Sequence, residues 1–217
     1  MAKVEIKGAI VPTNDGWIYD FFGESYTSPK KVADALEDAN GEDIDVEINS
    51  GGGDVFSASE IYAALRLYKG SVKIHVVGLA ASAASVIACA GQSDIAPTAQ
   101  MMVHNVSTYA AGDFHDMQHA AEMLKQANRS IASAYTTKTG MSEKDVLDLM
   151  DAETWITAQD AVDYGLIDEI AGVAKETTAP LALVASSGNL LPATVMDKMR
   201  VRRQALVEYF SKDEEES

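Results

Sequence analysis

The sequence predicts an α/β fold in which parallel strands are joined by helices. Two observations carry this expectation. Apolar residues switch repeatedly between period-two runs and helical spacing, and glycine or proline marks the switches. Val4 and Ile6 alternate with charged neighbours, as in a half-buried strand. Ser28-Pro29 supplies an N-cap followed by proline at the first helical position. Val32, Leu36 and Ala39 share one face of that helix, and Gly41 stops it. Ile44, Val46 and Ile48 return to period two and run into Asn49-Ser50-Gly51-Gly52-Gly53. A helix bearing Ile61, Leu65 and Tyr68 follows, closed by Gly70. Val72, Ile74 and Val76 form the next strand, punctuated by Gly78, and the small residues of 80–90 predict a buried helix. Met101 to His104 is a short strand.

Residues 113–138 keep Met117, Ala121, Leu124, Ala127, Ile131 and Ala134 at helical spacing. At about 1.5 Å per residue the helix is about 40 Å long, more than a domain of this size needs internally. It either lies across the core or projects as an arm whose apolar face meets another subunit. Ser142-x-x-Asp145 and Thr157-x-x-Asp160 have the form of capping boxes opening two short helices. Gly165 ends the second, and Leu166-Ile167 begins a last short strand. After Gly172 periodicity is lost: 177–192 mixes Ala, Ser, Thr, Gly and Pro as a linker does. Residues 196–210 have amphipathic spacing with Lys198, Arg200, Arg202 and Arg203, and 213–216 are all acidic. The expected organisation is one main domain over 1–175 and an appended linker and helix over 176–217.

The chain has 217 residues, with 17 basic and 33 acidic side chains and a net charge of −16. Such an acidic protein lacks the basic surface that nucleic acid or an anionic membrane requires, so neither is an expected partner. The one cysteine, Cys89, excludes an internal disulfide, a CxxC redox pair and a cysteine zinc site. The first residues carry no apolar signal core and no 18-residue apolar run occurs, which leads to the expectation of a cytoplasmic protein.

Several residues have chemical potential. Gly51-Gly52-Gly53 stands between a strand and a helix, but no GxxxxGK[ST] is present and Phe56 breaks the dinucleotide fingerprint. The run is therefore either a tight turn or a set of backbone donors for an oxyanion or a peptide. In Gly78-Leu79-Ala80-Ala81-Ser82-Ala83-Ala84-Ser85 a serine lies among alanines at a strand-to-helix junction. Ser82 is approachable there, and the Ala83 N–H can face a developing oxyanion. Close helix packing is the alternative reading, and Ser85 is the competing nucleophile. A serine needs a base. Of His75, His104, His115 and His119, the last two stand four apart on the long helix. Their segment, His-Asp-Met-Gln-His, is not HExxH, so a solvated face fits better than a metal pair. His75 falls on the opposite strand face, near the surface or an adjoining helix. His104 ends an apolar strand, where open α/β sheets place their sites.

Ile48-Asn-Ser-Gly-Gly-Gly53, Gly78-x-Ala-Ala-Ser82, Met102-Val-His104 and Ala158-x-x-Ala161-Val-x-Tyr-Gly-Leu-Ile-Asp168 occur in that order. Over residues 4–172 this resembles the ClpP-type serine peptidases. Gly53-Asp54-Val55, Ala81-Ser-Ala-Ala-Ser85 and Glu153-Thr154-Trp155 resemble the phage and prophage branch, associated with head maturation by cleavage of scaffold and capsid precursors. The resemblance implies a ClpP/crotonase-like superhelical fold of strand-strand-helix units with a protruding handle helix. It implies Ser82 as nucleophile, His104 as general base, and the Gly53 and Ala83 N–H groups as oxyanion hole, with Gly51 and Gly52 along the substrate. Where the family usually has aspartate, ungapped matching places Glu153; Asp151 is the alternative. No metal or nucleotide cofactor is implied. The implied partners are protein or peptide substrates and further copies of the chain in single or stacked rings. An ATPase unfoldase is less expected, because the first strand begins almost at once. Three other readings stay open: an ATP-dependent Clp-type proteolytic subunit, a crotonase-like acyl-CoA enzyme, and an inactive structural ring subunit.

Overall fold

A computed structural model describes residues 2–173, so the linker and helix expected over 176–217 lie outside the described residues. In chain order the first elements are β1 (Ala2–Ile10), α1 (Gly16–Phe22), β2 (Tyr26–Thr27), α2 (Pro29–Asp38), β3 (Ile44–Gly53) and α3 (Val55–Arg66). There follow β4 (Val72–Ala81), α4 (Ala83–Ala88), β5 (Gln92–Ile95), β6 (Gln100–Val103) and α5 (Phe114–Thr139). The last are α6 (Glu143–Asp151), β7 (Thr154–Thr157), α7 (Ala158–Asp163) and β8 (Glu169–Ile170).

The eight strands form one sheet: β2-β1-β3-β4-β5-β8 are all parallel, and β6 branches from β4 in parallel and carries β7 antiparallel on its other side. The α/β expectation therefore holds. Val4 and Ile6, Ile44, Val46 and Ile48, and Ile74 and Val76 point to one face, where Val32, Leu36, Ile61, Leu65 and Ile87 from the helices close the core. The alternate residues Lys3, Glu5, Lys7, Asp45, Glu47, Lys73 and His75 make the other face a charged surface. Parallel sheets are usually covered on both faces, so this pattern is distinctive.

Bulges shape the end of the sheet that matters. Ile48 pairs with Val76 but Ser50 with Ala80, so β4 carries two extra residues there. The Asn49 amide fills the gap by accepting from Leu79 N–H at 3.1 Å, and its oxygen stands 2.6 Å from where a Cβ on Gly78 would lie. The bend turns β4 from β5 towards β6, with which Leu79 to Ala81 pair. This corrects two sequence expectations. Gly78 does not end the strand, which continues to Ala81, and the helix over 80–90 shrinks to α4. The glycine run is likewise a strand, with Gly52 and Gly53 paired to Ala9 and Ile10. The final strand falls at Glu169–Ile170, while Leu166 and Ile167 are buried core residues ahead of it.

Helix starts match their caps. Ser28, Ser142 and Thr157 accept from backbone N–H groups, as does Asp54 from Ser57 at 2.7 Å, and Asp113 with Asp116 closes a capping box on α5. The long helix lies across the core over only part of its length. Its second half packs through Ile131, Ala132, Ala134 and Tyr135, and Lys138 ties it down to Gly91 O and Asp168. Its first half leaves Phe114, Met117 and Met123 exposed.

Candidate active site

The C-terminal ends of β3, β4 and β6 converge, and each delivers one part of the site. Ser82 follows β4 directly, and its N–H donates to Met102 O at 2.8 Å, extending the β4–β6 ladder by one residue. The chain then turns sharply into α4, leaving Ser82 at φ 54°, ψ −126°. A non-glycine residue held there stores strain of ~1–3 kcal/mol, and such strain lifts a side chain clear of the backbone. His104 follows β6, and its Nε2 stands 2.7 Å from Ser82 Oγ. At that distance the imidazole can take the hydroxyl proton.

Two backbone donors flank this pair. Ala83 is the first residue of α4, so its N–H has no partner within the helix. Asp54 N–H donates to Ile10 O at 2.8 Å. Since N–H groups alternate along a strand, the preceding Gly53 N–H faces the other edge, towards Ser82. Gly53, Ser82, Ala83 and His104 line one small pocket of about 80 Å³, floored by Val86, Ile131 and Tyr135. A side chain at Gly53 would strike the Ile10 backbone, and one at Gly52 would strike the Ser82 turn. A groove of about 560 Å³ leads from Gly53 and Val55 along Val106, Tyr109, Met123 and Leu124. Gly51 and Gly52 lie on β3 beside this opening. Their β1 edge is occupied, while pairing with β4 ends at Ser50.

The acid is placed differently. β6 and β7 pair antiparallel, Val103 with Thr154. Continuing that register by one residue sets Glu153 across from His104. Glu153 makes no hydrogen bond to the imidazole, however, and its backbone is left-handed at φ 49°. Asp151 accepts from Asn105 Nδ2 at 2.7 Å and is likewise not joined to His104. Ser85 is 0 % exposed and turned inward, so it is unavailable as a nucleophile. His115 stacks on Phe114, and among the described residues neither it nor His119 belongs to a metal-binding cluster. His75 lies on the charged face, with Nδ1 2.9 Å from Asp94 and Nε2 3.2 Å from Asp45. Burial alone would lower its pKa, but these two carboxylates outweigh that and raise it.

Sequence reasoning missed one set of residues. From α5, Asn128 accepts from Val106 N–H at 2.8 Å and donates to Asn105 Oδ1 at 2.7 Å, and Tyr135 reaches Ser85 at 2.7 Å. The available signal was an amide and a phenol interrupting the apolar face of Leu124, Ala127, Ile131 and Ala134.

Comparison with known proteins identifies the family of the chain. Residues 32–174 match the family described as Clp protease. An ATP-dependent Clp protease proteolytic subunit of Bacteroides fragilis is 32 % identical over 133 residues, covering 60 % of this chain and 64 % of that protein. The chain thus spans less than two thirds of that relative's length. A proteolytic subunit 3 of Rhodococcus jostii is 32 % identical over 146 residues, covering 64 % of this chain and 72 % of its own. A proteolytic subunit 1 of Chlamydia abortus is 36 % identical over 163 residues, covering 69 % and 84 %. On the strength of the family match and these relatives, the chain belongs to the Clp protease family.

Proposed function

We propose that this protein is a serine endopeptidase that hydrolyses peptide bonds through Ser82, His104 and Glu153. The observation that carries the reading is the 2.7 Å contact between His104 Nε2 and Ser82 Oγ in a pocket shared with Gly53 and Ala83. Ser82 attacks the peptide carbonyl as His104 takes its proton. The tetrahedral oxyanion is received by Gly53 N–H and Ala83 N–H. His104 returns the proton to the leaving amine, and water activated by the same imidazole releases the acyl-enzyme. Glu153 is the acid that orients His104 Nδ1, supported by its register position opposite the histidine. It must swing in to do so, whereas Asp151 is held by Asn105. The glycine run, Gly51 and Gly52, lies along an extended substrate where pairing with β4 has ended, as in β-augmentation.

The substrate class follows the phage-like motifs: protein precursors of head assembly, scaffold or capsid, cleaved by a homo-oligomer built from rings. The exposed Phe114, Met117 and Met123 on α5 suit an interface between copies. A second reading, the proteolytic subunit of an ATP-dependent protease, is favoured by the names of the three relatives. Co-expression with a scaffold or capsid precursor separates them. Processing by wild type but not Ser82→Ala, without any ATPase, supports the first; processing only with an ATPase unfoldase and ATP supports the second. No peptide cleavage under either condition refutes both.

A further inference from the structure

The turn that carries Ser82 is held by more than its own backbone. Ser82 O accepts from Ser85 N–H at 2.9 Å and from Ser85 Oγ at 2.6 Å. Ser85 Oγ also lies 2.7 Å from Tyr135 Oη. A serine hydroxyl has one proton. Ser85 spends it on Ser82 O, so the Tyr135 hydroxyl is the donor in the second contact. The result is a one-way chain, Tyr135 O–H to Ser85 O–H to Ser82 C=O. Ser85 is 0 % and Tyr135 3 % exposed, so water does not compete for these bonds. Burial raises the phenol's pKa, which keeps Tyr135 a donor at any ordinary pH.

Ser82 C=O and Ala83 N–H are the two ends of one peptide unit. That unit is planar and trans, so fixing the oxygen on one side fixes the direction of the N–H on the other. Donation to the carbonyl also polarises the amide and strengthens the N–H as a donor. We propose that Ser85 and Tyr135 are positioning residues which, acting through the Ser82 carbonyl, aim and strengthen the Ala83 N–H towards the transition-state oxyanion. The inference rests on the peptidase reading above and adds to it two residues whose hydroxyls act through the backbone of the Ser82 turn. It also gives Ser85 a role that its burial denies it as a nucleophile. Because the oxyanion forms only during the reaction, the chain should act on kcat and leave KM alone.

The test uses the full-length protein, a fluorogenic peptide that wild type cleaves, and the matching peptidyl boronate, which forms a tetrahedral adduct on Ser82. Tyr135→Phe keeps the ring and loses the donor; Tyr68→Phe removes a remote hydroxyl as control. The expected result for Tyr135→Phe is a kcat lower by about tenfold with KM within about twofold. Boronate affinity should fall by the same factor while product-peptide affinity is unchanged. Ser85→Ala should lose more, and the double variant no more than Ser85→Ala, since both break one chain. Should Ser85→Ala fail to fold, Tyr135→Phe alone decides. Wild-type kcat in Tyr135→Phe, or a loss that falls on KM or accompanies an equal loss in Tyr68→Phe, overturns the proposal. Undiminished cleavage by Ser82→Ala would instead overturn the peptidase reading itself.

Discussion

Alanine at Gly52 perturbs the site through the backbone alone. The residue has φ +94°, outside the ordinary range of a side-chain-bearing residue. Its added Cβ would stand 2.7 Å from Ala81 O, 2.8 Å from Ser82 Cβ and 2.9 Å from Ala83 N. All three atoms belong to the backbone or its first carbon, so no flexible side chain can move aside. The conformational cost is ~1–3 kcal/mol, and displacement of the packed turn adds to it. A total of ~3 kcal/mol lowers Tm by about 6–12 °C for a chain of this size. Pushing the Ser82 turn by a fraction of an ångström should cost about 100-fold in labelling by a fluorophosphonate, since the reacting geometry is lost. Gly51 is the internal comparison: nothing lies within 4 Å of its added Cβ. Gly51→Ala should shift stability by no more than ~0.5 kcal/mol. Thermal unfolding and the second-order labelling rate measure both effects. Wild-type behaviour of Gly52→Ala, or equal damage from Gly51→Ala, would refute the reasoning.

Glu153→Gln should lower kcat by up to ~10⁴-fold, as loss of the orienting carboxylate does elsewhere, while Asp151→Asn should retain most activity. Steady-state kinetics on a peptide decides which carboxylate serves. His75 has a raised pKa in the folded state from Asp94 and Asp45, acting against burial. Its contribution to stability is therefore complete below about pH 6.5 and is lost as pH rises through the raised value. The Tm advantage of wild type over His75→Gln should shrink on going from pH 5.5 to pH 8.5, as followed by circular dichroism in buffers of matched ionic strength. Cys89 is buried and its thiol is pushed up to about 12. Iodoacetamide should leave it unmodified in the native protein and alkylate it in denaturant, read by intact mass.

Legibility in the sequence followed the strength of the local signal. α2, α3 and α5 were readable because apolar residues recur on one face, and Ser28-Pro29 marked the start of α2. Four elements gave no such pattern. α1 has seven residues with Trp17, Phe21 and Phe22 exposed, so its apolar side chains point nowhere near the core. β2 has two residues, and β5, Gln-Ser-Asp-Ile, is mostly polar. β7 is Thr-Trp-Ile-Thr, a strand only because β6 lies beside it. The strand through Gly78 was hidden because glycine usually ends a strand, whereas here it makes room for the Asn49 side chain. Ser82 and His104 stood out by their place after strands. The Ser85–Tyr135 contact spans 50 residues and joins two helices, which no local pattern encodes.

The most direct test of the central claim is the position of a covalent label. The intact protein is treated with a fluorophosphonate, digested, and the adduct located by tandem mass spectrometry. The account predicts one adduct, on Ser82, absent in Ser82→Ala, still formed on Ser82 in Ser85→Ala, and slowed at least about 100-fold in His104→Gln. An adduct on any other residue, or labelling of Ser82 at an undiminished rate without the His104 imidazole, would contradict it.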